Sequence, residues 1–286
     1  MEDASSKIRL DSFVAAKYPE YSRSLIQKLI KDGRIKVDGY CLKKPSLELD
    51  TGKDYIVDLD LTNLNKPKEK INVEVIYEDK DVVVANKPIG VLTHSKGAYN
   101  PETSLADWLK LRPDYNFNED NDRGGIVHRL DRATSGVVIC AKNTMSYSYL
   151  QKQFSDRTCR KVYNAVIEGS LKIPEAVIDL PIIRNPKKPQ TFKVGANGKP
   201  SQTFYKTLQT NLLYSLLELK PVTGRTHQLR VHLKYLDHPI LGDTFYDGKK
   251  ADRLYLHASQ LEITLPGGER KTFSTKLPDE FNYKMQ

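Results

Sequence analysis

The chain has 286 residues, 39% hydrophobic and 28% charged, which suffices for a globular protein with a substantial core and two domains. No apolar run approaches bilayer-spanning length and the acidic opening MEDASSKIRL has no apolar signal core, so a cytoplasmic protein is expected rather than a membrane or secreted one. Cys41, Cys140 and Cys159, an odd number without CxxC spacing, argue against a disulfide framework and a zinc centre, while the net charge of +9 points to a polyanionic partner.

At the N-terminus, Leu10, Phe13, Val14 and Tyr18 recur at helical spacing, predicting a short amphipathic helix that ends before Pro19. A second helix follows: Ser22 suits the N-cap, Leu25, Ile26, Leu29 and Ile30 form its buried stripe, and Gly33 stands where a left-handed terminal residue is wanted. Short strands are then expected through DYIVDL, with turns at Asp38-Gly39 and Thr51-Gly52. Between Arg23 and Lys44, seven basic residues outnumber Asp32 and Asp38, a local net charge of +5. The pattern SRSLIQKLIKDGRIKVDG resembles the small αL RNA-binding domain of a small-subunit ribosomal protein, shared with tyrosyl-tRNA synthetases. That resemblance covers about residues 7 to 60 and implies an RNA-binding role for Arg23, Lys28, Lys31, Arg34 and Lys36.

Residues 61–72, LTNLNKPKEKIN, are polar and aperiodic and read as a linker between a module at 1–60 and a larger domain at 73–286. The larger domain is rich in β-branched runs, namely VVVANK, GIVHRL, GVVICAK, KVYNAVIEG, YSLLELKPVTG and LYLHASQLEITL. Helices are expected at ETSLADWLKL, TMSYSYLQKQF and THQLRVHLKYL. The fold class is therefore α+β, with a mixed, mainly antiparallel sheet. RNPKKPQTFKVGANGKPSQT, rich in turn residues and lysine, reads as a projecting hairpin arm.

The segment GGIVHRLDRATSGVVICAK, residues 124–142, concentrates charge around Asp131 between two apolar runs expected to be strands. Such a turn lies at a sheet rim, where a cleft can form. Arg129 and Arg132 are near enough in sequence to favour an ionised carboxylate, which can act as nucleophile, metal ligand or structural ion-pair partner. Metal binding is the weakest of the three, because no second carboxylate or histidine stands at ligand spacing and His227 and His232 are five apart. In KPVTGRTHQLRVHLKYLDHPILGD, a strand end turns at Gly224 into a helix, making Arg225 and Arg230 candidates to reach the carboxylate or a phosphate. Tyr163 lies on an alternating strand.

HRLDRATSG, with NKPIGVLTH at 86–94, KVYNAVIEG at 161–169, TGRTHQLRVHL at 223–233 and HPILGDTFYDG at 238–248, resembles the RluA-type RNA pseudouridine synthases, the RluD-like subgroup in particular. The resemblance spans about residues 73 to 280 in order, and departs from the usual pattern at Ala133, where many relatives carry an acidic residue. It implies that uridine in RNA is flipped out, detached from its ribose and rejoined through carbon 5. Asp131 is the implied nucleophile or base, Tyr163 lies against the ring, and Arg230 pairs with Asp131. Arg129 is implied to enter the vacated stack and Leu256 to pack beneath the base, with Arg132, Arg225 and His227 as further substrate contacts. No cofactor or metal is implied, and the partner is RNA, ribosomal RNA favoured and transfer RNA possible, bound by a monomer. The rival reading is a non-catalytic RNA-binding or ribosome-assembly protein in which Asp131 only braces arginines. HRLD lacks the spacing of a kinase catalytic loop, and GANGK lacks the glycine and hydroxyl residue of a phosphate loop, since Lys193 and Pro200 stand there.

Overall fold

The computed structural model describes residues 6–62, 69–95, 102–117 and 124–286, and the chain divides into two compact units. Residues 63–68 of the expected linker lie outside the described residues.

The first unit runs β1 (Lys7–Arg9), α1 (Leu10–Lys17), α2 (Arg23–Lys31), β2 (Ile35–Val37), β3 (Tyr40–Cys41), β4 (Glu48–Asp50) and β5 (Val57–Leu59). Leu10 and Val14 of α1 meet Leu25, Ile26, Leu29 and Ile30 of α2 over Ile35, Val37 and Val57. The Ser22 hydroxyl caps α2 by accepting the Leu25 N–H, and Gly33, at φ +72°, ends it while Arg34 N–H returns to the Leu29 carbonyl. Asp38 and Gly39 both take positive φ, the two-residue turn that suits the right-handed strand twist, and β2 pairs with β3 and β5. Asp11 is fully buried and answered by Arg9, Arg23 and Gln27; the Arg9 hydrogen bond foremost holds its carboxyl well below the usual range.

The second unit contains β6 (Glu74–Glu78), β7 (Val82–Lys87), α3 (Leu105–Leu109), β8 (Ser135–Ala141), α4 (Thr144–Ser155), β9 (Arg160–Glu168), β10 (Glu175–Asp179), β11 (Ile182–Arg184), β12 (Phe192–Val194), β13 (Gln202–Thr210), β14 (Tyr214–Pro221), α5 (Gln228–Tyr235), a 3-10 turn (Thr244–Tyr246), β15 (Leu256–Thr264), β16 (Arg270–Ser274) and α6 (Asp279–Met285). Nine strands form one mixed sheet in the order β10-β13-β14-β9-β15-β8-β7-β6, with β16 beside β15. Only the β8 and β15 pairing is parallel among them, as the expected mainly antiparallel sheet requires. β8 is buried at every position, so its run SGVVICA shows no alternation. Gly136 at φ +119° permits the close β8–β15 approach, since a Cβ there would stand 2.2 Å from the Ala258 carbonyl oxygen. The expected arm is a hairpin, β11 against β12, whose root packs on Val231 and Tyr246. No helix among the described residues is long and apolar enough to cross a membrane.

One expected strand is absent. GIVHRL runs as irregular chain with a single bridge, Ile126 to Cys140, after Gly124 and Gly125, both at positive φ. A side chain replaces the ladder here, because the Ile139 N–H of β8 donates to His128 Nε2 at 3.1 Å. Burial pushes His128 down to about 3, and its ring stacks on Phe154.

A buried histidine sets a pH limit on this sheet. His257 on β15 shares hydrogen bonds with Ser135 at Nδ1 (2.9 Å) and with Thr275 at Nε2 (2.7 Å); burial, with Arg253, lowers it to about 4. Below its ordinary pKa of about 6.5 the unfolded chain takes up a proton that the folded chain refuses, so stability falls as pH falls. Between that value and about 4 the loss is expected to be about 1.4 kcal/mol per pH unit. Urea midpoints compared at pH 7 and 5 should show it, and His257→Gln should flatten the slope.

Candidate active site

Asp131 occupies the tight turn that leads into β8, closed by the Thr134 N–H on the Asp131 carbonyl (3.0 Å). The NKPIGVLTH loop holds this turn from the other side. Thr93 Oγ1 donates to the Leu130 carbonyl at 2.8 Å and accepts the Leu130 N–H at 3.2 Å, while Gly90 N–H donates to the Arg132 carbonyl. Beneath lies Lys87, with no exposed surface, whose Nζ donates to the carbonyls of Pro88 (2.9 Å), Val91 (2.8 Å) and Arg132 (3.4 Å). Burial pushes this ammonium down to about 7, and Asp131 opposes the shift.

Arg230 on α5 reaches the carboxylate: Nη1 donates to Asp131 Oδ2 at 3.1 Å. Its Nε and Nη2 grip Asp243 bidentately, both at 2.7 Å, and its guanidinium lies over the Phe245 and Tyr246 rings. Arg230 and Asp243 are buried, whereas Asp131 retains 21% side-chain exposure and so stays open to a substrate. His227, at φ +56° just before α5, places Nε2 3.7 Å from Asp131 Oδ2 and Nδ1 2.8 Å from the Tyr246 hydroxyl. Burial, foremost, lowers His227, against the pull of Asp131. His227 Nδ1 and the Tyr246 hydroxyl thus share one hydrogen bond that holds the ring beside the carboxylate. Buried Gln228 fixes the preceding turn by accepting from Thr223 Oγ1 (2.6 Å) and Arg225 N–H (3.1 Å).

Asp131, Arg230 and His227 line a cavity of about 120 Å³ with Arg129, Tyr163, Arg225 and Leu256. Tyr163 and Leu256 come from neighbouring strands β9 and β15. Burial foremost, then Asp131, raises the Tyr163 phenol, which keeps its hydrogen at neutral pH. Arg129 is exposed and forms no ion pair among the described residues. Arg132 does not line the cavity: its Nε donates to the Gly90 carbonyl at 2.9 Å. The arginine that touches the Asp131 carboxylate is thus Arg230, ninety-nine residues away, rather than its sequence neighbours. Asp243, Tyr246, Gln228 and Lys87 complete the arrangement without having been singled out by sequence; each lies inside one of the motifs, but nothing local shows what it touches. Among the described residues no group of three or more histidine, cysteine, aspartate or glutamate side chains could hold a metal.

Arg230, buried and clamped between Asp131 and Asp243, thus presents an oriented carboxylate to the cavity. The model for the RNA pseudouridylate synthase family matches residues 81–235, and that for the S4 domain matches residues 8–54. An uncharacterized RNA pseudouridine synthase of Aquifex aeolicus (strain VF5) is 39% identical over 85% of this chain and 78% of its own length. Ribosomal large subunit pseudouridine synthase D of Borreliella burgdorferi is 38% identical over 96% of this chain and 87% of its own. The solved human RNA pseudouridylate synthase domain containing 1 superposes with a TM-score of 0.62 at 30% identity, covering 74% of this chain and 86% of that one. The family match and the named relatives thus support an isomerase acting on RNA. The chain belongs to the RNA pseudouridylate synthase family, RluA type, and carries an N-terminal S4 domain.

Proposed function

We propose that the protein isomerises specific uridines of large-subunit ribosomal RNA, with the target base flipped into the Asp131 cavity and Asp131 as the reacting carboxylate. The observation that carries this reading is the Asp131–Arg230 contact of 3.1 Å, set where the carboxylate still opens to the cavity. The relatives named for large-subunit synthase D support the choice of RNA.

In the reaction the bond from ribose carbon 1′ to ring nitrogen 1 breaks and one to carbon 5 forms. The carbon-5 hydrogen is lost as a proton and nitrogen 1 gains one, so no electrons change hands. Asp131 attacks or deprotonates, at the ribose or at the ring, and then leaves again. Arg230 orients it, Tyr163 lies against the ring with its hydroxyl protonated, and Leu256 packs beneath. Arg129, exposed at the mouth, enters the stack that the base vacates; unstacking costs a few kcal/mol. Arg225 and His227 contact the bound nucleotide, and Arg132 supports the Asp131 turn and the strand passing over it. Tritium release from carbon-5-labelled, unmodified ribosomal RNA, with transfer RNA in parallel, is the direct test. Release from ribosomal RNA is expected, and release from transfer RNA alone would overturn the choice of substrate.

In this reading residues 1–60 capture RNA, 61–72 link, and 73–286 catalyse. Lys28, Lys31 and Lys36 are exposed. Arg34 is half-buried, and its Nη1 has no hydrogen-bond partner among the described residues. Arg23 also donates to Asp11. Neutralising any of Lys28, Lys31, Arg34 or Lys36 is expected to lessen the slope of log affinity against log salt by somewhat under one unit. Equal slopes in all four variants would confine this module to a structural role.

A further inference from the structure

Beside the Asp131 cavity opens a second recess of about 510 Å³, which the chemistry described above does not use. Arg129, Lys161, Tyr163 and the Thr223–Arg225 turn belong to both walls, so the two spaces adjoin. The recess is lined by four cations, Arg129, Arg157, Lys161 and Arg225, and by no aspartate or glutamate among the described residues. His128 also lines it but is neutral.

Lys161 is the telling member. It stands two residues before Tyr163 on β9, so both side chains leave the same face of the strand. It is partly buried and makes no ion pair or hydrogen bond among the described residues, and its ammonium lies beside Gly224, 3.9 Å from where a Cβ there would stand. Gly224 brings bare backbone to the wall and lets a ligand come close. Arg157 reaches the same space from the left-handed position after α4, at φ +58°, and is likewise unpaired among the described residues. Withdrawing a lysine from water without an anion is costly, and a recess of one sign concentrates the opposite charge.

We propose that Lys161 and Arg157 form an anchor for a backbone phosphate of the RNA nucleotide next to the flipped uridine. The inference rests on the isomerase reading above and assigns these two residues a place in it. With the base against Tyr163, the adjoining phosphodiester has to leave along the wall that Tyr163 shares with Lys161. Contacts of this kind fix register rather than read sequence.

Unmodified ribosomal RNA transcript labelled at uracil carbon 5 is assayed with wild type, Lys161→Met, Arg157→Met and Lys161→Arg. Binding of the same transcript is followed by fluorescence anisotropy across salt concentrations. In either methionine variant the loss should fall on KM, by about tenfold (about 1.4 kcal/mol), more than on kcat. The slope of log affinity against log salt should lessen by about 0.7, the value for one single-strand phosphate contact, and Lys161→Arg should keep most of the affinity. KM and slope equal to wild type in both methionine variants would overturn the anchor. If wild type releases no tritium, the isomerase reading fails, and the binding slopes still decide the anchor. Arg157 is exposed, so its variant remains decisive even where Lys161→Met fails to fold.

Discussion

Asp131→Asn is expected to lower tritium release by roughly 10³-fold or more while leaving RNA affinity within a few-fold of wild type. The carboxamide fills the same space but neither takes a proton nor bonds and departs as a carboxylate does. The fold should tolerate the change, because Arg230 keeps both of its 2.7 Å hydrogen bonds to Asp243 and the turn is held through backbone groups and Thr93. Stability, read as a urea midpoint, therefore stays near wild type while the chemistry is lost. Isomerisation by this variant at near wild-type rate would remove Asp131 from the reaction. Silence from wild type as well, with RNA binding intact, would favour the assembly-factor reading.

Asp243→Ala should be the most damaging change to the framework of the site. It strands the Arg230 guanidinium, which is buried, and breaking a buried pair costs about 3–5 kcal/mol. Arg230 would then swing toward its remaining partner, Asp131, so activity should fall beyond the loss of folded protein. Combining Arg230→Met with Asp243→Leu separates the two effects. An apolar pair of similar volume removes both buried charges and should recover most of the stability, yet leave Asp131 without its orienting cation. A double variant that is both stable and fully active would show that the clamp serves folding alone.

Local signals in the sequence carried much of the architecture. Ser22 and Gly33 bound α2 as caps do, and the apolar runs mark β7, β8, β9, β14 and β15, of which β7, β8 and β15 are buried along most of their length. GIVHRL failed by the same logic, since an apolar run cannot show that His128, through its ring, satisfies the Ile139 N–H in place of a strand. At the site, the motif around Asp131 was visible, and Arg230 was already a candidate to reach the carboxylate and the partner that the resemblance implies, but the residues alone did not choose it over Arg129, Arg132 or Arg225. Arg129 and Arg132 are close in sequence, yet Arg132 bonds the Gly90 carbonyl, and the guanidinium that meets the carboxylate is that of Arg230 on α5. Pairings such as Arg230 with Asp243, or His227 with Tyr246, depend on how α5 and the chain after it pack, which no spacing rule encodes.

The ammonium of Lys87 ties three carbonyls from two separate loops, one of them from Arg132, next to Asp131. In mechanical terms this is a rivet: it joins the NKPIG loop and the Asp131 turn into one stiff block riding on β7 and β8. The carboxylate is then a fixed post, unable to advance on its target by more than a small rotation of its own side chain. In the proposed reaction, the travel that brings sugar and base into line then falls to the RNA.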